Sequence, residues 1–249
     1  MDVVSNFSSG LFNGKTVLIS GGTSGIGLAI AKGFAQSGAD VIATGSSVSR
    51  LESAKNALSG TSAKVEKMDV RNLEEIRGIV GNLSSLDVLV NCQGVAKPND
   101  EWDEETFLNV MDINLSSVMR VTREAHGLLA QSRGNVVNVA SMLSYLADEA
   151  VPAYTASKTG IVGLTRALAH KYGKEGIRVN AIAPGYHKTD MTRPLWSVAE
   201  SEEKIAQRAA MKRWGTVEDL VGPVLFLASD AAGFVTGMAM PVDGGYHSG

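Results

Sequence analysis

Three side chains in this 249-residue sequence stand at spacings that could move a proton: Ser141, Tyr154 and Lys158. Tyr154 and Lys158 are four positions apart, which on a helix puts them on one face with their Cβ atoms about 5–6 Å apart. A free tyrosine titrates at about 10, too high for a general base at neutral pH, and a nearby cation lowers that value by favouring the phenolate. The pair is a candidate proton-transfer device, and Pro152 suits the first turn of its helix. Ser141 follows an apolar run at 135–140 that reads as a buried strand. Its hydroxyl then falls at the strand's carboxyl end, where open α/β sheets bind ligands. Alone, Tyr-x-x-x-Lys is a pattern that many solvated helices carry, so its weight depends on the surrounding elements.

Those elements alternate. Residues 15–20 form a short run rich in branched side chains and bounded by glycines, as a strand buried on both faces would be. The turn Ser20-Gly21-Gly22-Thr23-Ser24-Gly25-Ile26-Gly27 and a helical pattern at 28–37 follow. Strand, glycine turn and helix make a phosphate-binding unit: glycines admit the backbone close to a pyrophosphate, and the helix amino terminus supplies N–H groups and a favourable dipole. The second strand, 40–44, ends in Gly45-Ser46-Ser47 without the carboxylate that often holds the ribose hydroxyls of NAD. Losing that acid removes repulsion against a 2′-phosphate, which Ser46, Ser47 or Arg50 could contact, and tips the cofactor from NAD toward NADP. Arg50 reads equally as a solvated residue of the next helix.

Further strands are expected at 64–68, ending in Asp69-Val70, at 86–90, ending in Asn91-Cys92-Gln93-Gly94, at 178–183, closed by Pro184-Gly185, and at 239–242. Between them lie a helix reaching Asn82, a long amphipathic segment at 104–132 that contains Asn114, the Tyr154 helix, a polar helix at 197–210 and a helix at 218–229. This alternation predicts an α/β fold: one doubly wound parallel sheet of Rossmann type with helices on both faces, a single domain over 1–249.

Composition narrows the class. Charged residues make up 20 %, the net charge is −3 and no basic stripe is present, which argues against nucleic acid as a partner. The longest apolar runs, such as 223–228, fall far short of the ~20 residues of a membrane helix. Residues 1–15 lack the basic start and apolar core of a signal peptide, so a cytoplasmic protein is expected. The single cysteine, Cys92, excludes an internal disulfide, and His126, His170, His187 and His247 are scattered without ligand spacing, so no catalytic metal is expected.

Over 15–246 the sequence resembles the short-chain dehydrogenases/reductases. The resemblance rests on the glycine turn ending Gly25-Ile26-Gly27, on Asp69-Val70, Asn91-x-x-Gly94 and Asn114, and on Ser141 thirteen residues before Tyr154-x-x-x-Lys158. Pro184-Gly185 with Thr189 and the closing Val242-Asp243-Gly244-Gly245 complete it. It implies a nicotinamide-dependent oxidoreductase in which Tyr154 handles the proton, Ser141 hydrogen-bonds the substrate oxygen, and Lys158 biases Tyr154 and holds the nicotinamide ribose. Asn114 would organise a water linked to Lys158. Asp69 would hold the adenine amino group with Val70 alongside, Asn91 and Gly94 would line the floor under the adenosine, and Pro184, Gly185, His187 and Thr189 would flank the nicotinamide. Departures from the family pattern are Ser20 for threonine, Cys92-Gln93 for Asn-Ala, and the absence of a basic residue at Thr23 or Ser24. That last departure weakens the case for NADP.

The resemblance is strongest to the branch that oxidises sugar acids and polyols, such as gluconate 5-dehydrogenase and 2-deoxy-gluconate 3-dehydrogenase. A lid is expected at 186–213, where His187, Lys188 and Arg193 would suit a carboxylate-bearing substrate, unless these cations pair with Glu200, Glu202 and Glu203. Leu143 and Tyr186 are expected as pocket walls beside Ser141 and Tyr154. The alternatives are a 3-oxoacyl-thioester reductase, which would favour a basic patch for an acidic carrier, and a catalytically silent dinucleotide-sensing protein, which would not need Asn114, Ser141, Tyr154 and Lys158 together. The family's habit further implies a homotetramer or homodimer.

Overall fold

Apolar runs bounded by glycines become strands here because helices cover both of their faces. In the computed structural model, which describes residues 3–8 and 10–249, seven strands form one parallel sheet. They are β1 (Thr16–Ser20), β2 (Asp40–Gly45), β3 (Lys64–Lys67), β4 (Val88–Asn91), β5 (Asn135–Val139), β6 (Arg178–Pro184) and β7 (Ala239–Val242). The helices are α1 (Gly25–Gln36), α2 (Val48–Ala57), α3 (Leu73–Gly81), α4 (Glu104–Met111), α5 (Ser117–Ser132), α6 (Pro152–Tyr172), α7 (Arg193–Trp196), α8 (Ala199–Arg208) and α9 (Val221–Ala228).

Strand order is β3-β2-β1-β4-β5-β6-β7. The chain builds outward from β1 to β3, then crosses back to place β4 on β1's other side, and that switch opens a crevice beyond the carboxyl ends of β1 and β4. Alternate residues of each central strand feed different layers. Val17, Ile19, Val88, Val90 and Val137 pack with Phe34, Val224 and Leu225 of α1 and α9, whereas Leu18, Leu89 and Val136 pack with Ile76, Leu129 and Leu168 of α3, α5 and α6. Each such side chain contributes roughly 1.5–3 kcal/mol when fully buried. The edge strand β3 departs from this pattern: Lys64, Glu66 and Lys67 face solvent, which discourages pairing with another chain.

The segment expected as one long amphipathic stretch is interrupted. Between α4 and α5 lies a π-turn, Asp112–Ser116, that inserts its wider ring into the helical path. Among the described residues no helix is long and apolar enough to cross a membrane.

Candidate active site

The sheet brings the chemistry-bearing residues to its carboxyl edge. Pro152 opens α6, placing Tyr154 in the first turn and Lys158 one turn on. Lys158 is 3 % exposed, its ammonium lies 5.6 Å from the Tyr154 ring centre, and its Nζ donates to the Val139 carbonyl at 2.6 Å. With no carboxylate beside it among the described residues, burial pushes the lysine down to about 8. Tyr154 departs from the sequence expectation. Its phenol is raised, not lowered, because burial outweighs the hydrogen bond with Ser141, and Cys92 and Glu101 push the same way. The Lys158 ammonium is turned to Val139 and leaves the phenol unrelieved.

Ser141 follows β5 as the cap of a tight turn, Met142–Ser144. Its hydroxyl accepts from Leu143 N–H at 3.1 Å, while Ser144 Oγ accepts from Ser141 N–H at 3.3 Å and donates to the Lys158 carbonyl at 2.7 Å. Ser144 thus ties the Ser141 turn to α6, a role that nothing in its spacing announced. Asn114, in the π-turn, is fully buried. Its Oδ1 accepts from Val95 N–H at 2.8 Å and its Nδ2 donates to Val95 O at 2.9 Å and Ser157 Oγ at 3.1 Å. A Cβ on Gly94 would lie 3.5 Å from Lys158 Nζ and 3.6 Å from Asn114 Oδ1, so the three residues share one small volume.

From Tyr154 and Lys158 a cleft of about 460 Å³ runs past Gly94 and Val95 to the glycine turn and on to Ser46, Arg50, Asp69 and Val70, with Thr189 on its other wall. Its glycines are obligatory: a Cβ on Gly27 would lie 2.1 Å from Gly21 O, and Gly21, at φ +77°, would press one to 2.6 Å from the Gln93 nitrogen. Ser24 heads α1 without any side-chain hydrogen bond to the first turn, so Gly25, Ile26 and Gly27 present N–H groups that this cap does not take up. Thr23 packs against Gly45 and closes the turn onto β2. A pyrophosphate fits this cradle, since the backbone is open where a Cβ would obstruct it and the helix end carries partial positive charge.

At the far end Arg50 is exposed and makes no ion pair among the described residues. Asp69 is held by Arg71, Nε to Oδ1 at 3.0 Å and Nη2 to Oδ2 at 2.6 Å, which keeps its carboxyl below the ordinary range. Arg71, unmarked by any motif, therefore covers the oxygen expected to meet adenine. Asn91 lies beneath the cleft instead of lining it, donating to Thr122 Oγ1 at 3.1 Å and Asn138 Oδ1 at 2.9 Å.

Ser141, Leu143, Pro184, Gly185, Tyr186 and His187 lie outside the cleft's walls, around the carboxyl ends of β5 and β6. Gly185 packs on Asp243, and His187 is buried against Gly215 with Nδ1 3.1 Å from Gly185 O. The Tyr186 ring sits 5.1 Å from Tyr246 and 5.3 Å from Trp214, and burial pushes its phenol up to about 12. The expected lid cations are neutralised: Lys188 pairs with Glu202 and Arg193 with Asp190, each at 2.5 Å.

Comparison with known proteins adds to this geometry. Residues 21–247 match a family model described as enoyl-(acyl carrier protein) reductase. The chain is 37 % identical over 250 residues to 2-dehydro-3-deoxy-D-gluconate 5-dehydrogenase of Bacillus subtilis (strain 168), covering 94 % of this chain and 95 % of that one. It belongs to the short-chain dehydrogenase/reductase family. A 3-oxoacyl-(acyl-carrier-protein) reductase of Rickettsia prowazekii (strain Madrid E) is 36 % identical over 235 residues, with 93 % and 96 % of the two chains covered. Among solved structures, gluconate 5-dehydrogenase from Burkholderia cenocepacia J2315 in complex with NADP and tartrate superposes with a TM-score of 0.89 at 29 % identity, covering 97 % of this chain and 98 % of that one. This short-chain dehydrogenase/reductase is an NAD(P)-dependent oxidoreductase acting on CH–OH groups.

Proposed function

We propose that this short-chain dehydrogenase/reductase interconverts a secondary alcohol and a ketone on a sugar acid or polyol. The observation that carries the reading is the convergence of Ser141 and Asn114 on Tyr154 and Lys158, which line one end of the cleft that runs to the glycine turn. The sugar-acid part draws on the gluconate-type relatives, because Lys188 and Arg193 are spent in ion pairs. A nicotinamide bound in the cleft would supply or accept the hydride. Tyr154 gives the proton to the substrate oxygen in reduction and takes it in oxidation, and Ser141 holds that oxygen and eases the phenol's ionisation. Lys158, released from Val139, would favour the phenolate and hold a ribose hydroxyl. Asn114 keeps Val95 and Ser157 in place beside it.

Gly21, Thr23, Ser24, Gly25, Ile26 and Gly27 would hold the pyrophosphate, and Ser46 with the unpaired Arg50 favours NADP over NAD. Asp69 and Val70 would meet the adenine, Gly94 would lie under the adenosine, and Thr189 would face the nicotinamide. Residues 186–213 act as the lid, with Tyr186 and Leu143 as substrate walls. A cytoplasmic homotetramer or homodimer completes the reading.

The 36 % identity to a 3-oxoacyl-carrier-protein reductase favours one second reading, thioester reduction. Nicotinamide absorbance distinguishes the two, with NAD and NADP each tested against sugar acids, polyols and a 3-oxoacyl thioester. Turnover of the first two classes with NADP is expected, falling about 10²–10⁴-fold in Tyr154→Phe as general acid–base catalysis is lost. Turnover of the thioester alone overturns the substrate class. Silence across the panel with intact dinucleotide binding favours a sensor.

A further inference from the structure

The segment joining β4 to α4 carries a carboxylate that this catalytic reading leaves unused. Glu101 is 0 % exposed, the one acidic residue so buried among the described residues. Its Oε2 accepts from the Tyr154 N–H and its Oε1 from the Lys97 N–H, each at 2.8 Å. Tyr154 is the third residue of α6, behind a proline without an N–H, so its amide is one of the donors that a helix cannot satisfy internally. A side chain 53 positions upstream satisfies it.

Two further bonds join the same segments. Asn99 N–H reaches Ala150 O at 2.8 Å, and Trp102 Nε1 reaches Glu149 O at 2.9 Å. Lys97 itself lines the cofactor cleft. Residues 97–102 therefore strap the cleft wall to the first turn of the catalytic helix. A neutral side chain could accept these bonds, and burying a carboxylate costs far more than burying an amide. What glutamate adds is charge. That charge complements the positive end of α6 and, as a like charge, opposes ionisation of the adjacent phenol. Four groups bear on Tyr154: Ser141 from the turn after β5, Cys92 from the turn after β4, Lys158 from α6 itself, and Glu101 from the strap.

We propose that Glu101 is a positioning residue for Tyr154, its buried carboxylate fixing the first turn of α6 and setting the pH at which the phenol yields its proton. The proposal rests on Tyr154 as the proton-transfer group, and on no particular substrate.

Glu101→Gln removes the charge at nearly constant size. Tyrosinate absorbance, taken for each protein as the difference from the same protein carrying Tyr154→Phe, follows this one phenol without substrate or cofactor. In Glu101→Gln the Tyr154 transition should move down by about half a pH unit, the order expected of a like charge not in direct contact. The rise of oxidation rate with pH should move with it. Glu101→Asp keeps the charge one methylene back and should fall between the two. An unmoved transition in Glu101→Gln, whatever its stability, overturns the proposal and leaves Glu101 a helix cap. If the glutamine variant does not fold, an unmoved transition in Glu101→Asp does the same. A substrate panel that stays silent leaves the titration readable, so failure of the sugar-acid reading is told apart from failure of this one.

Discussion

Replacing Lys158 by methionine should make the ligand-free protein more stable while ending catalysis. Lys158 is 3 % exposed, has no carboxylate partner among the described residues, and falls from 10.5 to about 8 through burial. At 1.36 kcal/mol per tenfold change in proton affinity, that fall means the charged lysine costs the fold about 3 kcal/mol at neutral pH. Methionine is one atom shorter and carries no charge, but it abandons the charged hydrogen bond to Val139 O, a loss of about 1.5–3 kcal/mol. The net expectation is a gain of up to about 1.5 kcal/mol at pH 7, or a Tm higher by up to about 6 °C for a chain of this size. Urea and thermal unfolding of both proteins, at pH values from 7 to 9.5, measure it. Between about 8 and 10.5 the folded wild type binds fewer protons than the unfolded chain, so its stability rises with pH and the advantage of the variant shrinks. A variant less stable than wild type at pH 7, or an advantage unchanged at high pH, refutes the argument.

Two other perturbations have defined outcomes. Gly27→Ala would set a Cβ 2.1 Å from Gly21 O, so the turn must open; calorimetric titration should show at least about a hundredfold loss of dinucleotide affinity with the circular dichroism spectrum retained, and near-normal affinity would show that the turn is not the cradle. Asn114→Ala strips the half-buried Val95 of both its partners and Ser157 of one, and at about 1 kcal/mol for each of these three bonds the urea midpoint should fall by an amount equivalent to about 3 kcal/mol. A loss below about 1 kcal/mol would mean that water replaces the amide.

The central strands were legible in the sequence because each is a local apolar run closed by glycine or a polar pair, and the i, i+4 relation of Tyr154 and Lys158 is a property of helix geometry alone. The π-turn at Asp112–Ser116 was not, since one inserted residue barely disturbs helical periodicity over so long a segment. Nor was the direction of the Tyr154 shift. Spacing places a cation near the phenol, but the Val139 carbonyl, nineteen positions upstream of Lys158, decides where that cation points. The pairing of Lys188 with Glu202 and the reach of Glu101 to Tyr154 are likewise contacts across loops that composition leaves open.

Beneath the cleft, one row of polar side chains crosses the sheet: Thr122 on α5 meets Asn91 on β4, Asn91 meets Asn138 on β5, and Asn138 meets Thr165 on α6 at 3.0 Å. All four are at most 1 % exposed. Any single apolar replacement strands a neighbour in a dry interior, while replacing the whole row with apolar groups of matching shape could be nearly neutral. Variation here should therefore be inherited in blocks. A lineage could exchange the row entire, but each step of a gradual exchange would pass through a less stable ancestor.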